Sequence, residues 1–339
     1  MNRLTVMVVS TVCLTWGSAE AASVGMPEAP TYNTAISPIF GYDPVYGTIL
    51  GGAWFRYPAP GAEPERPRYQ EIFVQGTFGG QFSVKARQRR TDLWPGWDHT
   101  VAVSADNFFD YEFPEGESDY ERFDRWTLDL GNELDRALTE RWSVFGRLSV
   151  SGRHHERDGE TVIAYPGTGV RWDSRNANLN PRQGGYAVAA VDVLPDVLHS
   201  EDLDNTGWRG ELDLRRYVPL FEESVLALRA EGEVTDGDVF EAALGGDRQL
   251  RGYVARRFVG DTRLATQAEL RFPIVGWVSG VTFVETGWIA SDGDWDNPSS
   301  LGGGLRFGLP PDGQMKVRAD LGVSDAGDMQ FFVSFNQVF

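Results

Sequence analysis

The sequence predicts an all-β fold, a transmembrane antiparallel β-barrel of about sixteen strands. Three observations predict it. Polar and apolar residues alternate over long stretches, the connections between stretches alternate short and long, and the last stretch is rich in aromatics.

The chain opens on a leader. Arg3 supplies a short positive start, Leu4 to Trp16 is mostly apolar, and Ala19-Glu20-Ala21 has the small-x-small cleavage pattern, so residues 1–21 read as a cleaved signal peptide. Its apolar run is shorter than the ~20 residues a spanning helix needs. Cys13, the one cysteine, falls inside the leader. Val12 before it is too bulky for a lipidation signal, and the mature chain is left with no disulfide. Residues 22–35 read as a short periplasmic segment and residues 36–339 as the barrel.

Downstream the dominant period is two. Trp208, Gly210, Leu212 and Leu214 alternate with Arg209, Glu211, Asp213 and Arg215. Met315, Val317, Ala319, Leu321 and Val323 interleave with Lys316, Arg318 and Asp320. Trp126, Leu128 and Leu130 stand against Arg125, Thr127 and Asp129. A series so uniformly charged on one face fits a wet lumen better than a sandwich core. Strand-like runs fall near 36–42, 47–57, 68–78, 80–89, 98–106, 122–134, 139–153 and 164–174. They continue near 184–194, 206–217, 222–235, 260–272, 276–289, 298–309, 313–324 and 327–339. Most match the ~9–11 residues of a tilted spanning strand with its ends. About twenty residues per strand and connection leave no room for a second domain. Glu133 to Glu140 and Glu222 to Val234 have helix-friendly composition; the first is short, and in the second the alternating charge decides for strand.

With both ends periplasmic, the outer connections include Asn107 to Glu121, Pro195 to Asn205, Ala242 to Val259 and Ala290 to Asn297. Inner turns such as Val218 to Phe221 and Pro273 to Val275 are short, with Pro58 to Pro67 the exception. Long outside and short inside is the outer-membrane pattern. In the last run Phe331, Val333, Phe335 and Phe339 share one face. Such an aromatic ending resembles the assembly signal of bacterial outer-membrane barrels, with Phe331, Phe335 and Phe339 as its residues.

Composition excludes some functions. With 49 acidic against 31 basic residues the formal charge is −18, which repels a phosphate backbone and argues against nucleic acid as a partner. A mean hydropathy of −0.32 does not argue against a membrane barrel, because every second residue faces water. No catalytic residues, metal or cofactor are assigned. His154-His155 lacks surrounding ligand spacing. Asp292, Asp294 and Asp296 lack the closing Glu of a calcium loop. Gly302-Gly303-Gly304 sits in a strand with no helix after it to cradle a phosphate.

Four stretches in order resemble the BamA/TamA superfamily of outer-membrane insertases and translocators. Asp173-Ser174-Arg175 with Pro181 and Gly184 resembles its D-x-R … P-x-x-G segment. Gly245 and Gly246, then Arg251-Gly252-Tyr253, resemble the Arg-Gly-aromatic tip of its longest outer loop. Ala268-Glu269-Leu270-Arg271-Phe272-Pro273 follows, and Phe283-Val284-Glu285-Thr286-Gly287 stands where the family has Phe-x-Asp-x-Gly, with Glu for Asp. The glycines let the loop fold back tightly, and the lumen of a barrel this size has room for it. Spacing alone reads Arg251 as an exposed loop arginine and the carboxylates as ordinary lumen charges. The resemblance implies a long outer loop folded into the lumen, with Arg251 meeting Glu269 and Glu285 on the lumen-facing series in the two-point contact that suits arginine and carboxylate.

The resemblance implies an outer-membrane protein of a Gram-negative cell that assists insertion or translocation of a protein or lipid substrate. Outer-membrane lipid surrounds it, and a separately encoded periplasmic partner is a candidate associate. It departs from the family pattern in lacking the soluble POTRA repeats that precede the barrel; residues 22–35 are far too few for a folded domain. The alternatives are a passive diffusion pore for small solutes and a structural barrel that works only with that separate partner.

Overall fold

The computed structural model describes residues 32–339 apart from 44, 60–67, 113–120, 157–158, 196–205, 222, 238–239, 292, 311–312 and 336. The leader lies outside the described residues, as does most of the 22–35 segment. The strands in chain order are β1 (Tyr32–Asp43), β2 (Gly47–Pro58), β3 (Arg68–Thr77), β4 (Phe82–Trp94), β5 (Trp97–Asp106), β6 (Asp110–Glu112) and β7 (Glu121–Phe123). Next come β8 (Arg125–Ala137), β9 (Trp142–His155), β10 (Gly159–Asp173), β11 (Gly184–Leu194), β12 (Gly207–Pro219), β13 (Val225–Asp236) and β14 (Ala242–Leu244). The last are β15 (Phe258–Gly260), β16 (Thr262–Val275), β17 (Val278–Ser291), β18 (Asp294–Asp296), β19 (Ser299–Gly308), β20 (Lys316–Ser324) and β21 (Met329–Phe335).

The main sheet has seventeen strands. Sixteen form the wall, and β18 is a 3-residue return along the end of β17. Two small hairpins, β6 with β7 and β14 with β15, stand apart in outer connections. Each wall strand pairs antiparallel with the next. β1 and β21 lie side by side, the Val333 carbonyl 3.5 Å from where a Cβ on Gly41 would stand, but no ladder joins them among the described residues. The barrel is therefore nearly closed, with one unpaired seam.

Burial runs inside out, as a lipid-exposed barrel requires. Leu128, Val284 and Leu301 face outward at 59%, 56% and 62% exposure. The alternate positions Asp213, Glu233, Arg263, Glu269, Arg318 and Asp320 are buried within the lumen. Exposed tryptophans mark both rims: Trp94, Trp142 and Trp277 at the inner ends, Trp126, Trp208 and Trp295 at the outer ends. Two aromatic girdles flanking an apolar band are the signature of a bilayer-spanning barrel. Alternation in the sequence read the strands without the girdles, because the rim tryptophans are scattered along the chain.

Several boundaries differ from the sequence reading, among them those at the two ends of the barrel. β1 begins at Tyr32 rather than residue 36, because Tyr32 to Ala35 pair with Phe55 to Pro58. The last strand ends at Phe335, and the chain then turns inward. Gln337 Nε2 donates to Asn180 Oδ1 at 3.1 Å, and Phe339 lies buried beside Tyr217, their rings 6.5 Å apart, in a cluster with Val225 and Ala227. Phe339 thus does not share the outer face of Phe331. An apolar recess at the inner end of the lumen takes it, with Arg271 Nη2 donating to its carbonyl at 2.9 Å. For Phe335 only the backbone is described.

Candidate functional site

The connection between β13 and β16 folds into the lumen. It is hinged on the β14–β15 hairpin, and Gly245 and Gly246 adopt φ of +117° and +91°, which side-chain-bearing residues rarely do. Leu244, Leu250 and Tyr253 pack with Ala265 and Ile289 of the wall, and the Tyr253 and Phe258 rings meet edge to face at 5.0 Å. This apolar anchor delivers Arg251 to the wall of β16, β17 and β20.

There the guanidinium is fully buried, as are Glu269, Glu285 and Asp320 around it. Arg251 Nε donates to Glu285 Oε1 at 2.8 Å, and the Arg251 backbone N–H donates to Glu285 Oε2 at 2.6 Å. Nη1 lies 2.8 Å from Glu269 Oε1 and donates to Asp320 Oδ2 at 3.1 Å. The Glu269 contact is ionic without hydrogen-bond alignment, as is that of Nη2 with Glu285. The guanidinium carbon sits 3.4 Å from the centre of the Phe283 ring, a cation–π contact.

Each carboxylate has further support. Gln267 Nε2 and Ser300 Oγ donate to Glu285 at 2.8 and 2.9 Å. Arg271 donates to Glu269 through Nε and Nη2 at 2.9 and 2.8 Å. Asp320 accepts from Arg306 and Arg318, and Arg318 also binds Asp247 on the loop. Arg251, Arg271, Arg306 and Arg318 thus balance Glu269, Glu285, Asp320 and Asp247. A neutral, interlocked cluster is the arrangement in which buried charges are tolerated.

Close approach makes the recess. A Cβ on Gly322 would stand 2.1 Å from the Arg251 carbonyl oxygen, and one on Gly252 would stand 2.6 Å from the Ser324 nitrogen. Any side chain at either position would push the loop off β20. Tyr253 completes the dock by donating its hydroxyl to Asp325 in the β20–β21 turn.

The structure therefore brings Arg251, Gly252, Tyr253, Glu269 and Glu285 together; Gly287 packs against Leu244 of the same loop, 2.6 Å from where its Cβ would be. Asp173, Arg175, Pro181 and Gly184 lie elsewhere, in the inner turn between β10 and β11. Arg175 donates Nε and Nη2 to Asp173 at 3.0 and 2.7 Å, Pro181 is buried, and Gly184 starts β11. Sequence reasoning missed Asp320, Arg306 and Gly322, and named Phe283 as part of a motif without a role. The alternating charges of β20 and β19 put Asp320 and Arg306 on the lumen side, but no spacing says which lumen residues meet a loop arriving from across the barrel. Of the features set aside for metal, His155 is buried, with its ring 5.7 Å from that of Phe123, and His154 is 3.9 Å from Glu160. Among the described residues no group of three or more His, Cys, Asp or Glu is arranged to hold a metal ion. Asp294 and Asp296 belong to β18, and Asp292 lies outside the described residues.

Comparison with known proteins gives the family and the fold. The Omp85 superfamily domain matches residues 117–330. Among solved structures, BamA from Haemophilus ducreyi lacking POTRA domains 1–3 is similar at TM-score 0.62 and 13% identity, over 91% of this chain and 70% of that one. CdiB from Escherichia coli is similar at TM-score 0.67 and 13% identity, over 92% and 63%. CdiB from Acinetobacter baumannii is similar at TM-score 0.59 and 13% identity, over 91% and 60%. The chain thus spans less than two thirds of either CdiB, and at this identity the likeness is one of fold. No curated protein matches the sequence.

Proposed function

Because the chain belongs to the Omp85 superfamily, we propose that it resides in the outer membrane of a Gram-negative cell and assists insertion or translocation of a protein or lipid substrate. The observation that carries the proposal is the docked loop: Arg251, fully buried among Glu269, Glu285 and Asp320, occupies a lumen whose wall has an unpaired seam between β1 and β21. A loop held by a specific buried cluster obstructs passive diffusion, while a seam without ladder bonds is the cheapest place in the wall to part. The work comes from substrate folding and apolar burial, and the reading needs no catalytic group. Arg251, Gly252, Tyr253, Glu269, Glu285 and Gly287 serve as the loop lock, and the inner turn of Asp173, Arg175, Pro181 and Gly184 braces the inner mouth. Phe331, Phe335 and Phe339 serve in assembly of the barrel itself. A separately encoded periplasmic protein supplies substrate capture.

The test is reconstitution. Liposomes containing the protein should accelerate assembly of an unfolded model β-barrel over protein-free liposomes, and planar-bilayer conductance should be small, rising when residues 245–256 are removed. A large, steady conductance unaffected by the deletion, with no acceleration of assembly, would instead favour the diffusion pore.

A further inference from the structure

Below the docked loop the lumen holds a cavity of about 260 Å³. Arg248 of the loop, Arg215 of β12, Arg229 and Glu231 of β13, and Arg175 of the inner turn line it. Four guanidiniums against one side-chain carboxylate is an unexpected balance in a chain of net charge −18. The nearby carboxylates are already engaged. Asp213 accepts from both Arg215 and Arg229, Glu231 lies 2.6 Å from Arg229 and 2.6 Å from Arg263, and Asp173 is taken by Arg175. Asp247, next to Arg248 in sequence, is bound by Arg318.

Arg248 is left over. Its side chain makes no hydrogen bond or ion pair among the described residues and is open to the cavity; Asp247 attracts it, while Arg318, Arg229 and Arg215 repel it. It also lines a second lumen cavity of about 380 Å³ bounded by β3, β4, β5, β8, β9 and β10, so it stands where the two chambers meet.

The other arginines are preorganised rather than spent. Arg175 and Arg215 each commit Nε and Nη2 to their own aspartate, and both lie over the Tyr186 ring at 4.5 and 5.0 Å. Their Nη1 groups donate to no described residue. The Tyr217 hydroxyl, buried and without a hydrogen-bond partner, is within electrostatic reach of both. Donors approaching one chamber from separate walls suit a tetrahedral anion with several acceptor oxygens, whereas a planar carboxylate is satisfied by a single fork. A volume of about 260 Å³ is several times the ~30 Å³ share of one water and leaves room for an organic substituent on the anion.

We propose that this chamber is a binding site for a phosphate-class anion, with Arg248 as its principal contact and the Nη1 ends of Arg175 and Arg215 completing it. The inference does not depend on the insertase reading, since it concerns occupancy of the lumen and not transport. The test is equilibrium dialysis of the full-length protein in neutral detergent, with radiolabelled inorganic phosphate in one arm and short-chain phosphatidylglycerol in the other. One ligand per barrel is expected in at least one arm, with affinity falling about tenfold or more in Arg248→Ala, the loss of one charge-assisted hydrogen bond. Arg122→Ala, on the outer rim, should bind as wild type. Binding in the phosphate arm identifies a free anion as sufficient, and binding only in the lipid arm identifies the headgroup. Protection of wild-type Arg248 from phenylglyoxal by the same ligand, mapped by mass spectrometry, reads the site without any variant. Absence of binding in both arms, binding unchanged by Arg248→Ala, or no protection of Arg248 would overturn the proposal.

Discussion

Removing Arg251 isolates one charge. In Arg251→Ala, Glu269 keeps Arg271 and Asp320 keeps Arg306 and Arg318, but Glu285 keeps only neutral donors, namely Gln267, Ser300 and the backbone N–H of residue 251. A buried carboxylate deprived of its counter-charge costs about 3–5 kcal/mol, whereas a wet pair would cost about 0–1. With all four side chains fully buried the upper range applies. The loss falls on loop docking, so the undocked fraction should rise by about two to four powers of ten. Glu285→Gln keeps the shape, drops the charge, and should cost about 1–3 kcal/mol. In the double variant the carboxylate that suffers from losing Arg251 is gone, so the combined cost should fall short of additivity by about 1–3 kcal/mol. Reversing the pair, Arg251→Glu with Glu285→Arg, should recover only part of the loss. The Arg251 backbone N–H, which donates to Glu285 at 2.6 Å, would then face a guanidinium. The assay is hydrogen exchange of residues 245–256 in detergent, with strand amides as the internal control. Costs that add to within about 0.5 kcal/mol would mean that the two residues act independently, and the lock as described would be wrong.

Three further outcomes are expected. Leu250→Ala, at a fully buried anchor, should undock the loop with a penalty of about 3–5 kcal/mol, read by the same exchange experiment, while strand protection is unchanged. Tyr253 and then Ser299 hydrogen-bond the Asp325 carboxylate and hold its pKa below the usual range, so their support is complete above about pH 4 and is lost as pH falls through that depressed value. Protection around Tyr253 should therefore be flat from neutral pH to about 5 and decline below about 4, and Tyr253→Phe should remove that part of the decline; a midpoint near pH 6.5 would point to a histidine instead. The unboiled protein should migrate faster than the boiled one in a gel and fractionate with the outer membrane. Phe339→Ala should lower the yield of the fast form, because its ring fills the recess beside Tyr217; undiminished yield would remove Phe339 from the assembly signal.

The barrel was legible because its physics is local. An alternating strand announces its two faces within a few residues, and long strands with alternating loop lengths fix the topology without knowledge of distant contacts. The lumen was legible only in part. Arg251, Glu269 and Glu285 stood out through motif order, yet Asp320 looked like any other charge on β20, and Gly302-Gly303-Gly304 read only as a strand with no helix after it to cradle a phosphate. In the structure a Cβ on Gly304 would lie 2.0 Å from Asp320 Oδ1, so that glycine is space left for the cluster. Such meetings depend on which strands face each other across the barrel, and that is set by closure and stagger rather than by sequence spacing. The inward turn at Phe339 was hidden for a similar reason. The face it would occupy as strand is apolar, and so is the recess at Tyr217, and composition does not choose between them.

The docked loop divides its labour between two kinds of contact. Its ionic cluster is neutral overall, and burying a balanced set of charges returns little net free energy, because desolvation offsets the attraction between them. The apolar anchor is different. Leu244, Leu250 and Tyr253 are each withdrawn from water, at about 1.5–3 kcal/mol for a fully buried side chain, so they hold the loop inside. Arg251 then fixes where inside. Any displacement that pulls it from Glu285 leaves a buried carboxylate unpaired, so intermediate positions are penalised while the fully docked position and the fully hydrated one are not. A contact of that kind makes a two-position element rather than a tight one. Two discrete positions, separated by exposure of three apolar side chains, are what a loop needs if it is to block the lumen at rest and still be displaced by a substrate offering apolar surface of its own.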